Sequence, residues 1–527
     1  MSRLKELEHL LTLGKITRRE FMARVSALGI AAAVSPALLS TPAHAATPKK
    51  GGRFIIGLSG SATTDSLDPA TLPDIFPQTL NTAVRNRLIE IDHTSTPIPE
   101  LAESWESSPD AAKWTFKLRK GVEFHNGKTM DAQDVIESIN HHRGKDSKSA
   151  AKGVVDPVKE IKADGKNTVV FILESGNADF PFVASDYHLT IQPAGTKDLE
   201  KGMGTGAYIL VSHEPGVRAM LKRNPNYFKK GRAHFDEVEM LGISDVNART
   251  NALKTGQVHV INRCERKTVH LLEKLPGIKV IRSDGTKHYT VPMITTIKPF
   301  QNNDVRLALK YAVDREQLVK TVLRGYGTVG NDHPIGKNQR FYASELPQRK
   351  FDPDKAKFHL KKAGLEGFTF KLHTADAAFG GAVDAAVLYK ESAAKAGIEI
   401  EVVKEPSDGY WSNVWMKKGW SFCFWSGRVT EDWMFSIAYA ADAGWNDTNW
   451  KHEKFNKLLK AARAELDNAK RREMYVEMQR IVSDEGATVV PMFAADLTGV
   501  STKLRYENVG ADWEMDGMRA PERWWFA

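Results

Sequence analysis

The chain holds 527 residues, 42% of them hydrophobic and 26% charged, with a formal net charge of +9. That length exceeds what a single hydrophobic core serves and calls for two or more lobes, and the apolar fraction is ordinary for a globular protein. The basic residues are interleaved with acids, as in Lys159-Glu160 and Arg472-Glu473, so they form no basic face of the kind nucleic-acid binding needs.

Residues 1–24 are polar and basic and include Thr17-Arg18-Arg19-Glu20-Phe21-Met22. An Ala- and Gly-rich apolar stretch, Val25 to Leu39, follows and ends in Ala43-His44-Ala45 before Ala46. A basic region, a short apolar region and a small-x-small site read as a signal peptide cleaved between Ala45 and Ala46. The pair Arg18 and Arg19 resembles the twin-arginine export signal, a receptor-read address rather than a fold element. The apolar run is interrupted by Ser35-Pro36 and is shorter than the about 20 residues that span a bilayer, and no Cys follows it to carry a lipid. A soluble periplasmic chain is therefore expected, with a net charge of +6 once residues 1–45 are gone.

Strand and helix patterns alternate along the rest. Arg53–Leu58 is a short apolar run after Gly51-Gly52 and reads as a strand. Trp114, Phe116 and Leu118 alternate with period two and share one strand face. Asn126-Gly127 marks a tight hairpin tip. Asp131–His141 has helical spacing behind an acidic first turn. Thr168–Leu173 reads as a strand, and Ala207–Val211 with Val217–Leu221 as a hairpin across Glu214-Pro215-Gly216. Val305–Leu323 reads as one long amphipathic helix capped by Asn302-Asn303-Asp304. Helices are also expected at Lys355–Ala363, Asp384–Ala396, Phe455–Glu465 and Lys470–Asp484, with strands at Ile398–Val403 and Val489–Phe493. The alternation argues α/β lobes. Cys264 and Cys423 are the two cysteines; an oxidising compartment permits a bond between them, and geometry decides it.

Motifs of catalysis are missing: no His-Glu-x-x-His, no Cys-x-x-Cys and no Gly-x-Ser-x-Gly. Gly127-Lys128-Thr129 lacks the spacing of a phosphate loop, and Gly202-Met-Gly204-Thr-Gly206 opens a strand and reads as a tight turn. His125, His141, His142, His333 and His452 are scattered, and adjacent helical histidines point about 100° apart, which does not suit a shared metal ion. No catalytic residue, metal or cofactor is assigned. By contrast, twelve aromatic residues fall between Tyr410 and Trp450, among them Trp425 and Trp433, together with Arg428, Glu431 and Asp432. Aromatic walls with a few convergent polar groups suit a small-molecule cleft.

Several blocks carry a family resemblance: Pro99-Glu-Leu-Ala-Glu-Ser-Trp-Glu106, Trp114 through Gly127, Asp131-Ala-Gln-Asp-Val135, Gly204-Thr-Gly-Ala-Tyr208, Lys222-Arg-Asn-Pro-Asn-Tyr227, Val305 through Arg315, and Phe351-Asp-Pro-Asp-Lys-Ala356. In this order the chain resembles the family 5 extracellular solute-binding proteins, which serve ABC importers of dipeptides, oligopeptides, opines and nickel chelates. The resemblance implies a two-lobed periplasmic binding protein fold with a hinge. Lobe I would be 46–290 plus 492–527, with an inserted subdomain at about 70–190, and lobe II would be 291–491. It also implies a monomer that closes on its ligand, performs no chemistry, and delivers it to a membrane permease with ATPase subunits. Peptide-binding members carry Trp-x-x-Asp-Tyr-x-Asp-Pro, in which the Asp meets the peptide amino group. Here Trp425-Ser-Gly-Arg428-Val-Thr-Glu431-Asp432-Trp433 puts an arginine in that place. The expected site is Arg428 paired with a ligand anion, Trp425 and Trp433 as walls, and Glu431 or Asp432 either holding Arg428 or meeting a ligand cation. An opine or metal-chelate ligand stays open, and so does an exported enzyme whose cofactor explains export in the folded state.

Overall fold

The computed structural model describes residues 48–407 and 410–527. The expected export segment and the Ala45–Ala46 site lie outside them.

A seven-stranded mixed sheet anchors the first lobe. Its order is Ile278–Ser283, Asp496–Ser501, Val260–Ile261, Arg53–Leu58, Glu237–Gly242, Arg218–Arg223 and Tyr208–Glu214. Arg53–Leu58 runs parallel to Glu237–Gly242 and Val260–Ile261, and its inward residues Phe54, Ile56 and Leu58 are fully buried. The expected hairpin forms between Tyr208–Glu214 and Arg218–Arg223. Just ahead of it, a Cβ on Gly204 would lie 2.3 Å from the Val84 carbonyl oxygen, so only glycine lets this turn pass against the end of helix Ile75–Val84.

Between the first strand and that hairpin the chain makes an excursion. It builds an antiparallel sheet in the order Ala102–Ser107, Lys113–Leu118, Thr168–Leu173 and Val158–Ala163. Trp114, Phe116 and Leu118 point together into its own core with Val135 and Ile139. Those two come from helix Ala132–Asn140, which Asp131 and Asp134 close with a reciprocal capping box. The Pro99-Glu100 block acquires a physical reason here. Glu100 is fully buried and accepts from Lys229 at 2.7 Å and from Arg519 at 2.8 Å, so it ties the C-terminal segment onto the first lobe.

The second lobe is built on the sheet Gly327–Val329, Thr488–Ala494, His288–Pro292 and Cys423–Trp425. Beside it, Thr369–Thr374 and Glu399–Lys404 pair in parallel through helix Ala382–Ala394, the crossover a parallel pair requires. The single helix expected over 305–323 is two helices, Asn303–Ala312 and Arg315–Thr321. Val313 is extended, and Asp314 caps the second helix by accepting from the Gln317 N–H at 2.9 Å. The chain passes from the first sheet to the second between Ser283 and His288 and returns between Ala494 and Asp496. Cys264 packs beside the first sheet and Cys423 sits in the second; both are free and buried, and burial lifts the Cys264 thiol to about 12. No helix among the described residues is long and apolar enough to cross a membrane.

Candidate functional site

Trp425 ends the strand Cys423–Trp425, which pairs only with His288–Pro292 and so forms an edge of the second sheet. The loop that follows turns at Gly427, φ +80°, where a Cβ would fall 2.0 Å from the Thr286 hydroxyl. Glycine at this point lets the loop lie against one of the two crossings between the sheets. Arg428 comes next and is half-buried. Its guanidinium donates to the Gly427 carbonyl at 2.6 Å and to the Ser426 hydroxyl at 3.4 Å, and lies 5.6 Å above the Trp433 ring. Trp433 is placed by the helix Glu431–Ala438, whose cap Thr430 accepts from the Trp433 N–H at 3.2 Å.

The fields of Tyr187 and Asp186, both in the first lobe, reach Arg428. Burial pulls the Arg428 pKa below its usual value, and the fields of Tyr187 and Asp186 act against that shift. Asp186 already accepts from His188 at 2.7 Å, and Tyr187 packs edge-on to Trp513 with centroids 5.3 Å apart. Among the described residues no carboxylate forms an ion pair with Arg428, whose guanidinium bonds to a carbonyl and a hydroxyl. A guanidinium in this setting keeps donors free for an incoming carboxylate.

Glu431 and Asp432 do not hold it, which was one of the two roles expected of them. The Glu431 carboxylate is buried and accepts from the Phe341 N–H at 2.7 Å. Asp432 is bound by Arg463, with both oxygens 3.1 Å from Nε. Both side chains support the helix carrying Trp433, using partners distant in sequence. Burial raises both carboxyl pKa values, Asp432 to about 6.

The aromatic run divides between core and surface. Tyr410, Trp420 and Phe422 pack in one core of the second lobe, and Trp425, Phe435, Tyr439 and Trp450 in another. Trp411, Phe424 and Trp445 keep 37–49% of their surface exposed. Trp445 leans on Trp425 at 6.0 Å and on Trp415 at 6.4 Å, and behind them Asp447 accepts from Trp415 Nε1 at 3.1 Å.

A cavity of about 750 Å³ opens between the lobes, lined by Arg249, Arg263, Lys287 and Asp496 on one side and by Arg324 and Asp376 on the other. Arg428 and Trp433 do not line it. On the cavity wall Arg263 pairs with Asp74 at 2.6 Å, and the field of Asp74 adds weakly to that of Asp186 at Tyr187. Sequence reasoning missed Tyr187, Asp74 and Arg263, which no local pattern marks. The histidines have separate partners: His141 with Asp68 at 2.6 Å, His142 with Ser149 at 2.7 Å, His452 capping the helix Glu453–Ala464. Among the described residues no group of three or more His, Cys, Asp or Glu is placed to hold a metal ion.

Two sheet-built lobes joined by two chain crossings, with an available guanidinium where the lobes face each other, define a hinged periplasmic-binding-protein fold. The family model for bacterial extracellular solute-binding proteins, family 5, matches residues 96–449, and the chain belongs to that family. It is thus a solute-binding component of an ABC importer, and its homologues are binding proteins rather than enzymes. The dipeptide-binding protein of Escherichia coli K12 is 28% identical over 459 residues, 77% of this chain and 82% of that one. The Helicobacter pylori periplasmic binding protein DppA, solved with the peptide STSA, superposes with a TM-score of 0.73 at 24% identity, covering 91% of this chain and 98% of that one. AgaA of A. tumefaciens R10, solved with agropinic acid, gives a TM-score of 0.73 at 24% identity over 90% and 99% of the two chains.

Proposed function

We propose that this protein captures a peptide or peptide-like polar solute that presents an anionic group to Arg428. The observation that carries the reading is a half-buried guanidinium stacked on Trp433, within the field of Tyr187 of the other lobe and without a carboxylate partner among the described residues. A planar fork of donors matches a carboxylate at two points, and in a closed cleft the pair is screened far less than at the surface. Trp425 and Trp433 serve as walls, while Glu431 and Asp432 act behind them as supports. An acidic opine satisfies the same chemistry, and the likeness to a fold that holds agropinic acid favours keeping that class within the proposal. The solute-binding reading is preferred to the enzyme reading because the homologues are binding proteins.

In this reading the hinge is formed by the crossings at 284–287 and at Ala495, somewhat beyond the boundaries at 290 and 491 expected from sequence. The chain leaves the cytoplasm through Arg18 and Arg19, is cut between Ala45 and Ala46, and works in the periplasm as a monomer. Its closed form delivers the solute to the permease, whose ATPase subunits drive import. Mass spectrometry of small molecules that co-purify with periplasmic protein tests the ligand class. An anionic peptide, peptide derivative or opine agrees with the proposal; a neutral or purely cationic solute contradicts it.

A further inference from the structure

The segment that carries Tyr187 is fastened to the second lobe. Asp179 lies eight residues earlier, just after the excursion's last strand, and its carboxylate is almost fully buried. Arg471, on helix Asn468–Glu485, grips both oxygens through its two terminal nitrogens, at 2.9 and 2.6 Å. Arg340 adds a third bond at 2.7 Å. Arg471 is itself fixed by donating Nε to the Ala462 carbonyl at 3.1 Å. The Arg340 guanidinium lies between rings of both lobes, 4.2 Å from the Phe341 centroid and 5.2 Å from that of Phe182. Next door the Ala178 N–H donates to the Arg463 carbonyl at 2.7 Å. A Cβ on Gly176 would come within 3.1 Å of the Ala464 side chain, so the contact is close along its length.

Arg463 connects this contact to the ligand region. Its carbonyl receives Ala178, and its guanidinium holds Asp432 at the start of the helix that places Trp433. Four residues before Asp432 stands Arg428. We propose that Asp179, Arg471 and Arg340 form a latch that holds the inserted subdomain against the second lobe and must open before a solute can enter or leave. The idea goes beyond the binding reading but rests on its hinge.

The physics favours an all-or-none device. A buried carboxylate with two guanidinium partners is stable when all three meet, and separating them part-way leaves charges away from both water and each other. Full separation returns each to solvent. Burial by itself would raise the Asp179 carboxyl, and the two arginines more than reverse this, holding it below the usual range.

The test is made on ligand-free protein. Cys264 and Cys423 are buried, so spin labels attach selectively at Lys117→Cys and Lys361→Cys, exposed positions on the inserted subdomain and the second lobe. Pulsed electron resonance then gives the distance distribution between lobes. The parent is expected to show mainly one short distance. Asp179→Asn should raise a longer-distance population at least about tenfold, the scale of a lost buried charge partner. Arg340→Gln removes one bond from a side chain that is 34% exposed; it leaves the fold intact and should give a smaller increase, which decides the matter if Asp179→Asn does not fold. Distributions matching the parent in every variant that folds, or a parent already mostly long, would overturn the latch. Either result leaves the binding reading to its own ligand titration.

Discussion

Lys287 and Asp496 face each other at 3.5 Å, Lys287 on one of the two chain crossings that join the lobes and Asp496 where the other enters the first sheet. The Ala494 N–H donates to the Lys287 carbonyl at 2.9 Å, so the crossings are laced into one strip and bend together. Closure about such a strip moves the lobes as bodies. A solute that binds only the closed form shifts the equilibrium by its differential affinity. Where the latch is released, as in Asp179→Asn, the free protein opens, and small-angle scattering should show a smaller radius of gyration with solute. Stability should rise by about 2.7 kcal/mol at a hundredfold excess over Kd. An unchanged radius at saturation would contradict hinge closure.

Asp447 gives a pH prediction. Burial raises its carboxyl to about 7, with bonds from Trp415 and Trp425 acting the other way. The folded state therefore keeps a proton that the unfolded chain releases near pH 4, and this contribution to stability is lost as pH rises toward about 7. Asp447→Asn carries no such charge. Its stability relative to the parent should climb between pH 4 and 7 and then level off, by on the order of 2–4 kcal/mol. Urea unfolding at several pH values measures it; a constant difference across that range would refute the assignment.

Lys310 is a second buried titratable group with a structural task, its pKa pulled down to about 7 by burial. It is fully buried on helix Asn303–Ala312, and its ammonium donates to the carbonyls of Val482, Ser483 and Gly486 at 3.2, 2.8 and 2.7 Å. Those acceptors close the end of the helix Asn468–Glu485, where carbonyls lack intrahelical partners. Lys310→Met fills the space but supplies no donor. A loss of roughly 2–5 kcal/mol is expected at neutral pH, read as a lower urea midpoint with the slope unchanged. A midpoint equal to the parent's would show that water satisfies these carbonyls.

The fold was largely legible because local patterns and tertiary needs agree. Arg53–Leu58 and Thr168–Leu173 form the strands their apolar runs predict. The break between Asn303–Ala312 and Arg315–Thr321 was not legible. Apolar spacing continues across it, and Asp314 reveals itself as a cap only once Val313 is extended. At the site, Arg428 and Trp433 stand five positions apart and meet through a local turn and helix start, so their association could be read from spacing. The partners of Glu431 and Asp432 come from Phe341 and Arg463, and Tyr187 arrives from the other lobe. Such contacts are set by topology, which no local spacing encodes. The aromatic run was ambiguous for a related reason, since core and cleft draw on the same residue types.

Export offers an independent check. If Arg18 and Arg19 are the address, replacing both by Lys should leave the precursor in the cytoplasm, and the periplasmic form of the parent should begin at Ala46. Cell fractionation with N-terminal sequencing reads both. Normal export of the double-lysine variant would remove the twin-arginine assignment.

If Arg428 receives the anionic group of the solute, its loss is felt in affinity before stability. Losing one partner of a buried charge pair costs roughly 2–5 kcal/mol, and each 1.4 kcal/mol is about tenfold in affinity. Arg428 makes only local bonds to Gly427 and Ser426 within the fold, so its removal should leave thermal stability nearly unchanged. The most direct measurement is calorimetric titration of the co-purified solute into the parent and into Arg428→Ala. Binding should be weakened by one to several orders of magnitude in the variant at nearly equal melting temperature. Equal affinity in the two proteins would contradict it.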